Sequence, residues 1–193
     1  MKSVAVFCGS SSGSEKIYKE QAFLLGETLA RRHIDLIYGG AKVGLMGAVA
    51  DGALAQGGKV TGVLPHFLRQ KEIAHENLSE LIVVKTMHER KTKMSALCEG
   101  ILALPGGFGT LEELFEILTW AQLGLHQKPI ALLNVNGFYN DLLSCIETMV
   151  EKGFLKAVNQ KMLLVGDSID DVLHQMITYK PAHVGKWIKP DET

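Results

Sequence analysis

One pattern repeats along the chain: a short run that is apolar throughout, then a longer stretch with apolar residues at helical spacing. The runs at Val4–Cys8, Ile34–Tyr38, Val60–Leu64, Leu81–Lys85, Ile101–Leu104, Ile130–Leu133 and Leu163–Val165 predict strands. Helices are expected over 15–32, 45–56, 86–99, 110–123, 139–151 and 169–179, with 66–79 polar and irregular. A strand apolar at every position must be covered on both faces, and an intervening helix supplies the crossover that a parallel neighbour needs. The expected fold class is therefore α/β, a doubly wound parallel sheet of about seven strands with helices on both faces. No linker, repeat or low-complexity tract interrupts the pattern. One domain is expected over residues 1–180, followed by a loosely ordered tail over 181–193.

In open α/β sheets ligands bind beyond the carboxyl ends of the strands. Three predicted strands end there in glycine-rich loops: Gly9-Ser10-Ser11-Ser12-Gly13, the stretch Gly39-Gly40 through Gly44 to Gly47, and Gly106-Gly107-Phe108-Gly109-Thr110. Nine of the chain's 20 glycines lie in these loops. Glycine lets a backbone approach a ligand closely, and a following helix N-terminus offers free N–H groups and a positive dipole end, a setting for phosphate. Ser10 and Gly40 are candidate contacts on the first two loops. No Gly-Lys-Ser/Thr follows any of them at P-loop spacing. Gly9-x-Ser11-x-Gly13 fits a serine-hydrolase elbow in letters only. It follows the first strand, so no upstream strand and loop exist to build an oxyanion hole.

With 20 basic and 21 acidic residues, the net charge of −1 provides no broad surface for a nucleic-acid backbone, although a local anion site needs few residues. No stretch is long and apolar enough for a membrane span or a signal-peptide core. Cys8, Cys98 and Cys145 fit neither a disulfide framework nor a zinc spacing, so a reducing cytoplasm is expected. The seven histidines are dispersed without a metal motif, which reads as surface placement with no metal site.

Two helix starts carry chemistry. Thr110-Leu111-Glu112-Glu113 matches a capping box, with Thr110 as N-cap and Glu113 three residues on. The alternative is that Thr110 and the loop N–H groups hold a phosphate while Glu113 faces the bound molecule. Glu112 and Glu116 read as a solvated acidic face. Thr86 and Glu89 form a second possible capping box, opening a helix expected to bury Met87, Met94, Leu97 and Cys98. Arg90 falls within that apolar stripe and Lys93 beyond its edge. An inward arginine needs an anionic partner or a route to water, so it meets a ligand or carboxylate, or else it snorkels or pairs internally.

Together, Phe-Cys-Gly-Ser-Ser at 7–11, Gly-Gly-x-x-x-Gly-Leu-Met at 39–46, Met-His-Glu-Arg-Lys at 87–91 and Pro-Gly-Gly-x-Gly-Thr-x-x-Glu at 105–113 closely resemble the Lonely Guy family of cytokinin riboside 5′-monophosphate phosphoribohydrolases. The resemblance spans nearly the whole chain. It implies a Rossmann-like nucleotide-binding fold, a homodimer, and hydrolysis of the N-glycosidic bond of N6-modified AMP to free base and ribose 5-phosphate. By the same resemblance Arg90 and Glu113 are the catalytic pair. Lys91, Gly107, Phe108, Gly109 and Thr110 bind substrate, and Glu72 and Thr119 contribute from outside the strongest motifs. The implied partner is a nucleoside 5′-monophosphate, with no cofactor. Relatives often carry the label lysine decarboxylase, but nothing in these residues calls for pyridoxal phosphate. Two alternatives remain: a broader nucleoside-monophosphate nucleosidase, and a non-catalytic carrier of a nucleotide or phosphorylated cofactor.

Overall fold

The structure, a computed structural model, describes residues 1–68 and 74–181. Its strands are β1 (Ser3–Phe7), β2 (Asp35–Tyr38), β3 (Val60–Pro65), β4 (Glu80–Val84), β5 (Gly100–Ala103), β6 (Ile130–Leu133) and β7 (Leu163–Gly166). Its helices are α1 (Lys16–Arg31), α2 (Gly44–Ala55), α3 (Met87–Leu97), α4 (Phe108–Gln122), α5 (Asn140–Glu151), the short α6 (Ala157–Gln160) and α7 (Ile169–Thr178). Every strand and long helix was expected from periodicity. The additions are α6 and two single 3₁₀ turns, His66–Leu68 and Val135–Gly137, each too short to show a period.

All seven strands form one parallel sheet in the order β4-β3-β2-β1-β5-β6-β7. Val4 lies opposite Leu36 on β2 and Gly100 on β5, which fixes β1 at the centre. Alternate residues of each strand enter opposite layers. Leu36 and Leu102 pack with Leu25, Leu29 and Val49 from α1 and α2. Their neighbours Ile37 and Ile101 pack with Met94 from α3 and Leu114 and Ile117 from α4. Among the described residues no helix is long and apolar enough to cross a membrane.

Some local expectations change. Met87 and Leu97 are exposed rather than buried, so α3 holds the core through Met94 and the following Cys98. His75 is not a surface histidine. Its buried ring bonds Asp51 through Nε2 at 3.0 Å and accepts from the Asn77 N–H at Nδ1, so the Nε2 proton is donated to the carboxylate. The His75 backbone N–H also donates to the Gly40 carbonyl at 3.0 Å, tying this segment to the end of β2.

Candidate active site

The three glycine loops follow β2, β1 and β5, which are adjacent at the middle of the sheet. They converge on a cavity of about 300 Å³. Ser10 and Gly39 line it from the first two loops, Gly107, Phe108, Gly109 and Thr110 from the third, Arg90 from α3 and Glu113 from α4. Met46, Met87 and Met94 form an apolar side, and Cys8 lies in its lining at the end of β1. Loops far apart in sequence meet because parallel strands all end at the same edge.

The capping box proposed for Thr110 is not how α4 begins. The helix starts at Phe108 with Gly107 as N-cap, and no side chain among the described residues caps it. Thr110 is thus the third helical residue, buried against the preceding turn: a Cβ on Gly106 would lie 2.1 Å from its Oγ1. The Leu111 N–H reaches the Gly107 carbonyl at 3.1 Å. The N–H groups of Phe108, Gly109 and Thr110 have no intrahelical acceptor and stand at the cavity with the positive end of the helix dipole. On α3, by contrast, the cap forms as expected. The Glu89 N–H donates to Thr86 Oγ1 at 3.1 Å, and the Glu89 carboxylate reaches back to the Lys85 N–H at 2.7 Å.

Arg90 is inward-facing, with 6% of its surface exposed. Its Nε has no hydrogen-bond partner among the described residues, and Nη1 lies 3.9 Å from the Met87 sulfur. The guanidinium fits because residue 39 has no side chain: a Cβ there would stand 2.0 Å from Arg90 Nη2. Arg90 and Glu113 both act on Cys8. Burial pushes that thiol well above its ordinary value; the Glu113 carboxylate adds to the rise and the Arg90 guanidinium offsets part of it. Cys8 is thus held as a neutral thiol between two opposite charges, unsuited to act as a nucleophile.

Other expected contacts fall elsewhere. Lys91 does not line the cavity; its Nζ lies 2.5 Å from Glu112, which does, and 2.9 Å from Glu116. Burial opposes its charge, but the two carboxylates prevail and raise its pKa. Glu112 and Glu116 therefore tie α3 to α4 rather than forming a merely solvated face. Gly40 supports the loop from behind: its φ is +83°, and a Cβ would press on Leu64 and Leu81. Thr119 lies outside this cavity, in a crevice with Ile146 and Met162, and its hydroxyl donates to the Phe115 carbonyl at 2.7 Å. Glu72 lies outside the described residues. Gly39 lies in a loop and Cys8, Met46 and Met87 in motifs already noted in the sequence, but none was assigned a contact there; their places after β1 and β2 and on α2 and α3 were the available signal.

A larger groove of about 720 Å³ runs beside α1. Its arginines are already engaged, Arg32 with Asp170 at 2.5 Å and Arg31 with Glu27 at 3.7 Å, so it offers an anion less than the glycine-loop cavity does. Among the described residues no group of three or more His, Cys, Asp or Glu is placed to hold a metal.

A buried arginine and a carboxylate thus line one cavity beside a helix start without a side-chain cap, on the carboxyl edge of a Rossmann-like sheet. Residues 46–176 match the family model described as "Possible lysine decarboxylase". Two cytokinin riboside 5′-monophosphate phosphoribohydrolases of Arabidopsis thaliana are 45% and 44% identical to this chain, covering 93% and 94% of it and 83% and 85% of their own lengths. The molybdenum cofactor binding protein from the phototrophic bacterium Rippkaea orientalis shares the fold, with a TM-score of 0.68 at 21% identity over 91% of this chain and 97% of its own. The chain belongs to the cytokinin riboside 5′-monophosphate phosphoribohydrolase family, whose members are N-glycosyl hydrolases.

Proposed function

We propose that this chain hydrolyses the N-glycosidic bond of N6-modified adenosine 5′-monophosphate, giving the free base and ribose 5-phosphate, through one nucleotide-binding unit over residues 1–180. The observation that carries this is the buried Arg90, its Nε unpartnered among the described residues, facing the same cavity as Glu113 beside the uncapped start of α4.

The 5′-phosphate sits on the N–H groups of Phe108, Gly109 and Thr110, with the Ser10 turn beside it. Fixing the phosphate places C1′ of the ribose deeper in the cavity, and that remote binding energy orients the reacting carbon. As the bond from C1′ to the base nitrogen lengthens, positive charge builds on C1′ and the ring oxygen. The Glu113 carboxylate stabilises that charge and aligns the attacking water. Water oxygen bonds to C1′, and one water proton ends on the departing base. Arg90 binds the sugar or phosphate through its fork of donors. The thioethers of Met46, Met87 and Met94 suit an apolar substituent on the base.

Assay of N6-isopentenyl-AMP, AMP and other nucleoside monophosphates for free base and ribose 5-phosphate tests the activity. Preference for the N6-modified nucleotide is expected, and equal turnover of ordinary nucleotides would favour the broader nucleosidase. Binding without turnover of any would favour a carrier. Glu113→Gln should lower kcat at least a hundredfold with the fold intact; full activity in that variant would refute its role. The assembly proposed is a homodimer, supported by Leu111, Phe115, Leu118 and Trp120 being only partly buried on α4, and tested by sedimentation. The proposed location is the cytoplasm, where the three free cysteines stay reduced.

A further inference from the structure

A second cavity, of about 380 Å³, adjoins the catalytic one. The two share Gly9, Ser10 and Gly107, so the Ser10 turn and the approach to α4 form a common sill between them. The second cavity lies where β1 and β5 diverge, the topological switch point of the sheet, and opens away from Arg90 toward α1 and the turn after β6. Its chemistry differs from that of its neighbour. Ser11, Ser12 and Ser14 supply hydroxyls, and Tyr18 and Phe138 supply aromatic rings packed edge to face at 5.8 Å. Phe138 is 44% exposed, a large aromatic surface left toward solvent beside a polar loop.

Charge decides what fits. Among the described residues no lysine or arginine lines this second cavity. At its rim Glu15 accepts from the Tyr18 hydroxyl at 3.2 Å and from Asn136 Nδ2 at 3.2 Å. A second phosphate would meet no cation among these described residues and a carboxylate at the edge. A neutral heterocycle would find ring faces to stack on and hydroxyls for its polar edge.

We propose that the second cavity is a subsite for the neutral far half of a 5′-phosphodiester: a ligand whose single phosphate lies on the sill, with one adenosine in the catalytic cavity and a second nucleoside on Tyr18 and Phe138. This rests on the phosphate placement under the proposed function, and it extends the ligand class from nucleoside monophosphates to dinucleoside monophosphates.

Calorimetric titration with adenylyl-(3′→5′)-adenosine, the methyl phosphodiester of adenosine, ADP and AMP tests it, alongside inhibition of N6-isopentenyl-AMP hydrolysis. The dinucleotide should bind at least tenfold more tightly than the methyl ester and than ADP. Phe138→Ser and Tyr18→Ser should each remove that advantage, with KM for the monophosphate changing less than twofold and melting temperatures confirming the fold. A dinucleotide no tighter than the methyl ester would overturn the proposal, as would a Phe138→Ser protein weakened alike toward every ligand. Absence of hydrolysis, with the aromatic-dependent titration intact, would instead count against the proposed activity alone.

Discussion

Substituting Gly39 by alanine adds one methyl group, and the structure says where it goes. The new Cβ would stand 2.0 Å from Arg90 Nη2, 3.2 Å from Arg90 Cζ and 2.9 Å from the Met46 sulfur. Non-bonded carbon contacts settle at about 3.5–4.0 Å, so the guanidinium must retreat by roughly 1.5 Å. Gly39 does not have the left-handed φ that would strain an alanine, so the backbone admits the substitution. A displacement of about 1 Å at a reacting centre can cost on the order of a hundredfold. Gly39→Ala should therefore lower kcat/KM for N6-isopentenyl-AMP by about a hundredfold. In an Arg90→Ala background, followed at high enzyme concentration, the same methyl should cost less than about threefold, because its target has gone. Hydrolysis kinetics and thermal melts of the two single variants and the double variant complete the cycle. A Gly39→Ala enzyme within threefold of wild type, or an undiminished loss in the Arg90→Ala background, would refute the steric link.

Lys91→Met should lower stability by about 1 kcal/mol or less, since the Glu112 end of the pair is open to solvent, and urea melts would show it. The raised Lys91 pKa makes its contribution fully present below its ordinary value of 10.5 and lost as pH rises beyond it, so wild type and variant should converge in strongly alkaline melts. His126 works in the opposite sense. Burial chiefly lowers its pKa below 6.5, while Nε2 donates to the Ile117 carbonyl at 3.0 Å and Nδ1 accepts from the Lys128 N–H. Wild type should therefore lose stability as pH falls from 6.5 through the depressed value, and His126→Gln should flatten that slope in urea melts. Tyr139→Phe removes a buried 2.6 Å bond to the Leu104 carbonyl and should cost about 1–2 kcal/mol in the same assay.

The central strands were legible because burial on both faces leaves them almost wholly apolar; β6, buried at all four positions, matches its expected bounds at Ile130 and Leu133. The inward Arg90 was legible from the 100° turn per residue. The start of α4 was not, for a physical reason. Thr110 and Glu113 have the letters of a cap, but Thr110 is wedged against Gly106, so the helix begins two residues earlier at Phe108. Local pattern cannot register that tertiary contact. The same holds for Lys91, whose carboxylates come from a helix about twenty residues away, and for Thr119, turned by the helix onto a different crevice. Ser10, Arg90, Glu113 and the third loop do converge, because the parallel strands open at one edge and Arg90 lies on the inward face of its helix.

The placement of the glycine loops on β2, β1 and β5 also governs how the protein comes apart. Val4 and Ala5 of β1 are fully buried, with a paired strand on each side. Fraying starts at the borders of a sheet, here β4 and β7, and reaches the middle only when the whole unit opens. Backbone amides of β1 and β5 should accordingly exchange with solvent deuterium only through global unfolding. A nucleotide resting on their loops would slow that exchange by the full amount of its binding free energy, so deuterium uptake at these two strands becomes a direct gauge of ligand affinity.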